Sequence, residues 1–292
     1  MNSFIFLGGD MRSLYAARRL GQRYGCLVYG IDPPELPADI HRSDRPVPCD
    51  YAVLPLPASM DGKTVYAPYL REGEPPIGFD ILYSSVKRGG TVFTSRSFPL
   101  LEQVCADGGF SLVNYFEREE LAVLNAVPTA EGALEIALRE LPFTVFRSNV
   151  LITGFGRCGK TLARVFSALG ARVFVACRKY ADLAWAEING CTPVPLGELD
   201  GTLPQADLII NTVPAKIFGR KRLLLIRKDT VFLELASAPS IEDEELAMQA
   251  GIKVIWARSL PGKTAPVTAG EIIAQTLENI ILERSLRDGT DE

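Results

Sequence analysis

An α/β fold of two doubly wound parallel-sheet domains is predicted by three features of the chain. Short apolar runs alternate with amphipathic stretches from end to end, a glycine-punctuated strand–turn–helix–strand unit lies near the middle, and a weaker copy of that unit opens the sequence. The 292 residues give room for two domains of ordinary size. The expected division is an N-terminal domain over 1–127 and a second domain over 128–267 that includes a linker helix.

The first unit runs Phe4 to Leu7 as a buried strand, Gly8-Gly9-Asp10 as a turn, Ser13 to Tyr24 as a helix and Cys26 to Ile31 as a second strand. The turn has no third glycine and is a poor cofactor signal. It is expected to leave helix-end amides and Arg12 facing a crevice suited to a small carboxylate. Pro33 to Pro76 is rich in proline, with Tyr51 to Leu54 a strand. Ile81 to Val86 and Thr91 to Thr94 read as strands separated by Lys87-Arg88-Gly89-Gly90. Ser97 to Ala106 follows as a helix and Ser111 to Tyr115 as a strand. Glu117 to Asn125 and Pro128 to Leu141 read as two helices, because a proline cannot donate to the helical ladder.

The central unit begins with the apolar run Val150 to Ile152 and turns at Gly154-x-Gly156-x-x-Gly159. A helix then carries Leu162, Val165, Phe166 and Leu169 on one face, and a second run spans Val173 to Ala176. This is the setting a dinucleotide needs. Gly154 permits the tight turn, Gly156 lets the backbone approach a pyrophosphate, and Gly159 lets helix and strand pack closely. Arg157 and Cys158 belong to the same loop. Residues 154–161 also satisfy the phosphate-loop formula, with Lys160 for the β/γ-phosphates, Thr161 for magnesium and Glu234 the obvious acid on the magnesium side, so an ATPase is a competing reading. Gly156 and the second strand on schedule favour the dinucleotide. Where an acid would hold a ribose 2′-hydroxyl, the chain reads Cys177-Arg178-Lys179. An arginine and a lysine there suit a 2′-phosphate, so NADP is expected.

Beyond this unit come a helix (Ala181 to Asn189), a short run (Thr192 to Leu196) and the strand Asp207 to Asn211, which ends on Thr212-Val213-Pro214. The strand Thr230 to Leu235 ends on Ala236-Ser237-Ala238-Pro239. Both ends lie where open α/β sheets bind ligands, making Thr212, Val213, Pro214 and Ala236 candidates for the cofactor. Helix Glu242 to Ala250, strand Ile252 to Trp256, a loop over Leu260 to Pro266 and a helix from Thr268 to Leu286 finish the chain. Ile272, Ile273, Leu277, Ile280 and Ile281 are expected to be buried, and the acidic tail at 288–292 frayed.

An apolar content of 47% with 23% charged residues describes a soluble globular protein, and a net charge of −4 gives no electrostatic reason to bind nucleic acid or an anionic membrane. Six cysteines without a C-x-x-C pair and a single histidine, His41, argue against a metal site. No apolar stretch reads as a signal peptide or membrane span, so a cytoplasmic location is expected.

The chain resembles the A-subunit of dipicolinate synthase at Asn125-Ala-Val-Pro-Thr-Ala-Glu-Gly132, at the glycine loop, at Ala236-Ser-Ala-Pro239 and along Leu260 to Gly270. Gly8-Gly9-Asp10-x-Arg12 and Phe116-Glu117-Arg118 fit the same family, whereas Ser240-Ile241 stands where the family often has Gly-Gly. More distantly, the layout resembles D-2-hydroxyacid dehydrogenases, which implies that a C-terminal helix at 268–292 returns to join the first domain, but no histidine follows position 41 and Ala238 stands near where their arginine would be. The resemblance implies oxidation of a dihydrodipicolinate-type ring by NADP⁺ in the mother cell of a sporulating bacterium, with the flavoprotein-like B-subunit of dipicolinate synthase as partner. A ring bearing two carboxylates calls for cations and backbone N–H groups, and Arg12, Lys263 and the Ser237 turn are the candidates. Since aromatisation drives proton loss, orientation could supply most of the catalysis without a histidine. A non-catalytic NADP-binding regulatory role is the competing reading from another class.

Overall fold

The computed structural model describes residues 2–34, 37 and 39–288, and it divides into two compact units, 1–125 with 265–292, and 126–264. Of the acidic tail, only the backbone of Asp288 falls within the described residues.

The first unit contains β1 (Ser3–Leu7), α1 (Met11–Gly21), β2 (Gly25–Tyr29), β3 (Cys49–Val53), α2 (Leu82–Ser85), β4 (Val86–Thr94), α3 (Pro99–Gly108) and β5 (Ser111–Asn114). Its strands form a parallel sheet in the order β2-β1-β3-β4-β5. Strand alternation divides β1 between two cores, Phe4 and Phe6 facing Leu14, Leu20 and Tyr115, and Ile5 and Leu7 facing Leu54, Phe79 and Leu82.

Two expectations fail here. Residues 81–85 are helical rather than a strand, because Phe79, Leu82 and Ser85 are buried at a spacing of three, which only a helical turn places on one side. Lys87 to Gly90 does not separate two strands. It lies inside β4 as an irregularity opposite Asp50, where the β3–β4 register shifts and Gly89 takes φ +77°. Asp50 ties the distortion down, accepting from Lys87 Nζ at 2.8 Å and from Ser3 N and Oγ at 2.8 and 2.7 Å.

One helix, α4 (Glu119–Glu140), replaces the two expected, with Pro128 inside it. Proline forfeits one ladder bond, and burial of Leu121, Ala126, Ala130, Ala133 and Ala137 holds the helix on both sides of that gap. As one element, α4 is also the single helix among the described residues long and apolar enough, by length and composition, to cross a membrane, which a break at Pro128 would have hidden.

The second unit continues from α4 through β6 (Asn149–Thr153), α5 (Arg157–Ala168), β7 (Arg172–Cys177), α6 (Tyr180–Ile188), β8 (Thr192–Pro195), α7 (Leu199–Thr202) and β9 (Leu208–Asn211). It closes with α8 (Arg220–Leu223), β10 (Val231–Glu234), α9 (Glu244–Gln249), β11 (Lys253–Trp256) and α10 (Leu260–Thr264). The sheet is parallel in the order β8-β7-β6-β9-β10-β11, the order of a Rossmann domain, with its reversal point between β6 and β9. Of the stretch expected as a loop over 260–266, residues 260–264 instead form α10, against which Gly132 of α4 packs so closely that a Cβ there would stand 2.7 Å from Thr264 Oγ1.

The last helix, α11 (Pro266–Asp288), returns to the first unit and lies along α1, burying Ile272, Ile273, Leu277, Ile280 and Ile281 as expected. Arg118, just before α4, fixes its far end by a two-pronged pair with Glu283 at 2.6 and 2.7 Å.

Candidate active site

The glycine turn between β6 and α5 gives its three glycines different duties. Gly154 takes φ +88°, and a Cβ on it would stand 2.6 Å from Thr212 Oγ1. A Cβ on Gly159 would lie 2.1 Å from the carbonyl oxygen of Gly154, so helix and turn touch there. Gly156 is different. It is the N-cap of α5, and the space where its Cβ would point holds no atom within 4 Å. No side chain caps the helix, and its first turn carries no acid. Uncapped amides behind an open glycine are what a pyrophosphate requires, so the residues fit the cofactor group the sequence implied.

Beside this turn lies a cavity of about 370 Å³ lined by Gly154, Phe155, Ala176, Cys177, Arg178, Lys179, Asp182, Leu196, Val213, Ala215, Lys216 and Ile217. The structure thus brings Gly154, Arg178, Lys179 and Val213 from the sequence-derived set to one wall. Arg178 and Lys179 are exposed and enter no ion pair among the described residues. Asp182, in the first turn of α6, is an acid in the lining that sequence reading passed over. Arg157 and Cys158 occupy the first turn of α5, and burial raises the Cys158 thiol above its ordinary pKa. Cys177 is pushed up to about 11 by burial and by Asp182, so neither thiol is poised as a nucleophile at neutral pH.

The other half of the turn's surroundings is a buried polar row. Thr153, Asn211 and Glu234 end three neighbouring strands, and parallel register puts them level, Thr153 beside Asn211 and Asn211 beside Glu234. All three are fully buried. Thr153 Oγ1 donates to Asn211 Oδ1 at 2.5 Å, and Asn211 Nδ2 donates to Glu234 Oε1 at 2.6 Å and to the Val213 carbonyl at 3.0 Å. Val213 N and Thr212 Oγ1 return donors to Asn211 Oδ1 and the Thr153 carbonyl at 3.2 and 2.8 Å. Glu234 also accepts from Ala236 N at 3.1 Å, from Ser240 N at 3.0 Å and from the Ser240 hydroxyl. This row shapes the loops holding Thr212, Val213 and Ala236, while Pro214 stands exposed beyond it. Its sequence signal was three apolar runs that each end on a polar residue.

The phosphate-loop reading loses its side-chain geometry. Lys160 Nζ lies over the rings of Phe155 and Trp185 at 6.0 and 5.8 Å, Thr161 Oγ1 donates to the Arg157 carbonyl at 3.0 Å, and Glu234 is consumed by the polar row. The Gly8-Gly9 turn is closely packed, since a Cβ on Gly9 would meet Ser13 Oγ at 2.1 Å and one on Gly8 the Tyr66 carbonyl at 2.9 Å. Arg12 is buried and already matched. Its Nε reaches Asp10 Oδ1 and Oδ2 at 3.0 and 3.1 Å, and its Nη2 reaches Asp10 Oδ2 at 2.7 Å and the Leu56 carbonyl. Ser237 stands exposed in the loop after β10, and Lys263 is exposed on α10.

Comparison with known proteins agrees with this geometry. Residues 131–255 match the family model "D-isomer specific 2-hydroxyacid dehydrogenase, NAD binding domain", and residues 3–116 match the model of the N-terminal domain of the dipicolinate synthase A-subunit. The dipicolinate synthase A-subunit of Bacillus subtilis (strain 168) is 32% identical over 97% of this chain and 97% of its own. Its crystal structure superposes with a TM-score of 0.84 over 98% of this chain and 97% of that one. The A-subunit structure from Bacillus halodurans gives the same TM-score at 29% identity, covering 96% and 97%. An NAD(P)-binding dehydrogenase domain joined to that N-terminal domain, with a relative matched nearly end to end, places this chain in the dipicolinate synthase A-subunit family.

Proposed function

We propose that this chain oxidises a dihydrodipicolinate-type ring to dipicolinate with NADP⁺, acting with a second subunit in the cytoplasm of a sporulating cell. The observation that carries the cofactor choice is the pair Arg178 and Lys179 at the wall of the cavity beside the glycine turn. Gly154, Gly156 and the first-turn amides of α5 would hold the pyrophosphate, Thr212 to Pro214 and Ala236 would border the cofactor, and the pair at the end of β7 would take the 2′-phosphate. When bound, the nicotinamide supplies the hydride acceptor. The protein's share is orientation and charge. Ser237 beside the sheet's carboxyl edge and Lys263 on α10 remain the candidates in this unit for a ring carboxylate. Arg12, with its charge matched by Asp10, would contribute to substrate binding only by sharing that partner.

Two observations favour competing readings. Asp182 in the same cavity could accept from a ribose 2′-hydroxyl, which suits NAD. The mutual satisfaction of Thr153, Asn211 and Glu234 leaves none of them as an evident proton acceptor, which suits a regulatory role. One experiment separates the three. The chain, its partner subunit, substrate and either NADP⁺ or NAD⁺ are combined and nicotinamide reduction is followed by absorbance. Reduction at least tenfold faster with NADP⁺ at limiting cofactor supports the proposal. Equal rates point to Asp182, and cofactor binding without reduction points to the regulatory role.

A further inference from the structure

The cofactor cavity has a second basic wall, supplied by the segment between β9 and α8. Lys216 lines that cavity and also a neighbouring concavity of about 520 Å³ bordered by Gly219, Arg220, Lys221 and Arg222. In the neighbour, Lys221 and Arg222 are both engaged by Asp200, at 2.7 and 2.8 Å. Lys216 is exposed and enters no ion pair among the described residues.

The backbone directly after Lys216 is held fast. Ile217 N and Phe218 N both donate to the Ser240 carbonyl at 3.0 Å, and Ser240 is itself bound to the buried Glu234. Arg222 adds a clamp, with Nη1 donating to the Ile217 carbonyl at 2.8 Å and Nη2 to the Leu196 carbonyl at 3.1 Å. Leu196 and Ile217 both line the cofactor cavity, so this one guanidinium fastens the loop after β8 to the loop after β9. The cavity then presents three cations, Arg178, Lys179 and Lys216, against one acid, Asp182. A surplus of two positive charges matches a phosphate monoester, which carries roughly two negative charges near neutral pH.

The geometry points to Lys216 as a third cation of the 2′-phosphate site, reaching it from a different loop than Arg178 and Lys179, with Arg222 as the positioning residue that fixes the segment presenting it. This rests on the NADP reading above. Lysine suits the place because a point charge on a flexible stem needs only a fixed root, which Arg222 and Ser240 provide.

The test is calorimetric titration of the full chain with two probes that differ in the phosphate concerned, 2′,5′-ADP and 5′-AMP, at low and moderate salt. Lys216→Ala is expected to weaken 2′,5′-ADP about tenfold, the loss of one charge-assisted hydrogen bond, and to leave 5′-AMP within about twofold. It should also flatten the salt dependence of 2′,5′-ADP binding, while Lys216→Arg retains most of the affinity. Because Lys216 is exposed, the melting temperature should not move. Arg222→Ala is expected to weaken both probes, 2′,5′-ADP the more. Equal losses for the two probes in Lys216→Ala, or no loss, would overturn the assignment. If the unaltered chain binds both probes alike, the NADP reading falls with it. If it discriminates and Arg178→Ala abolishes the discrimination while Lys216→Ala does not, only the role of Lys216 falls.

Discussion

Glu234 shows how far one residue's surroundings decide its role. A carboxylate after an apolar strand could hold a magnesium ion, but here four donors from Asn211, Ala236 and Ser240 converge on it in a site closed to water. Each carboxylate oxygen accepts from two of those donors, so Glu234→Gln would turn an amide NH₂ toward a pair of them and lose their acceptor. We expect a loss of about 3 kcal/mol, read by chemical denaturation, whereas a loss under about 1 kcal/mol would mean the row is not closed. Asp50 is the pH-sensitive counterpart. Partial burial raises its pKa, yet the Lys87 ammonium and the Ser3 donors outweigh that and hold it at about 2. Its folded pKa therefore lies below the unfolded value of about 3.9, so its stabilisation is complete above about pH 4 and is lost as pH falls toward about 2. The melting-temperature difference between the unaltered chain and Asp50→Asn should accordingly be full at about pH 7 and smaller at about pH 3. A difference independent of pH would contradict the assignment. Both residues were visible in the sequence, but neither role was, because each depends on strand register, which aligns residues far apart in the chain.

At the scale of elements, the glycine turn was the most legible part of the molecule, since its spacing encodes a backbone shape directly. The structure adds a separation of roles that mutagenesis can read. Gly159→Ala forces a methyl group onto the Gly154 carbonyl and should cost about 2 kcal/mol or more. Gly156→Ala meets open space and should stay within about 1 kcal/mol of the unaltered chain, yet weaken cofactor binding at least tenfold. Thermal melts paired with cofactor titration check both, and a Gly156→Ala chain that binds normally would remove the pyrophosphate from this turn. Misread elements share one cause. Residues 81–85, the two halves of α4 and the stretch 260–264 were judged from local breakers or short apolar runs, and packing overrode each. Phe79 and Leu82 pulled one segment into a helix, an alanine face carried α4 past Pro128, and Leu260 closed α10 against Gly132.

For the whole molecule, two parallel sheets follow from the alternation of strands and helices and the return of α11 from the resemblance of the layout, whereas the close packing at Gly8-Gly9 could not be anticipated. That turn is crowded by Ser13, Pro55, Val65 and Tyr66, three of them from a proline-rich stretch with little periodic signal. The five large aliphatic side chains that α11 buries contribute about 10 kcal/mol to the first unit, comparable to the whole stability of a typical domain. A chain ended after Thr264 should therefore leave residues 1–125 without a cooperative transition while 126–264 stays folded. Hydrogen–deuterium exchange would show rapid exchange confined to the N-terminal peptides, and protection there equal to that of the full chain would refute the dependence.

This threading of one unit by two separated stretches of chain has a consequence during synthesis. As the polypeptide leaves the ribosome from its N-terminus, the middle unit is the first to have all of its residues available, since it is continuous in the chain. The opening 125 residues emerge earlier, yet must wait with an apolar flank uncovered until the last helix is translated. Nascent chains halted before position 265 are thus the species most exposed to chaperone capture.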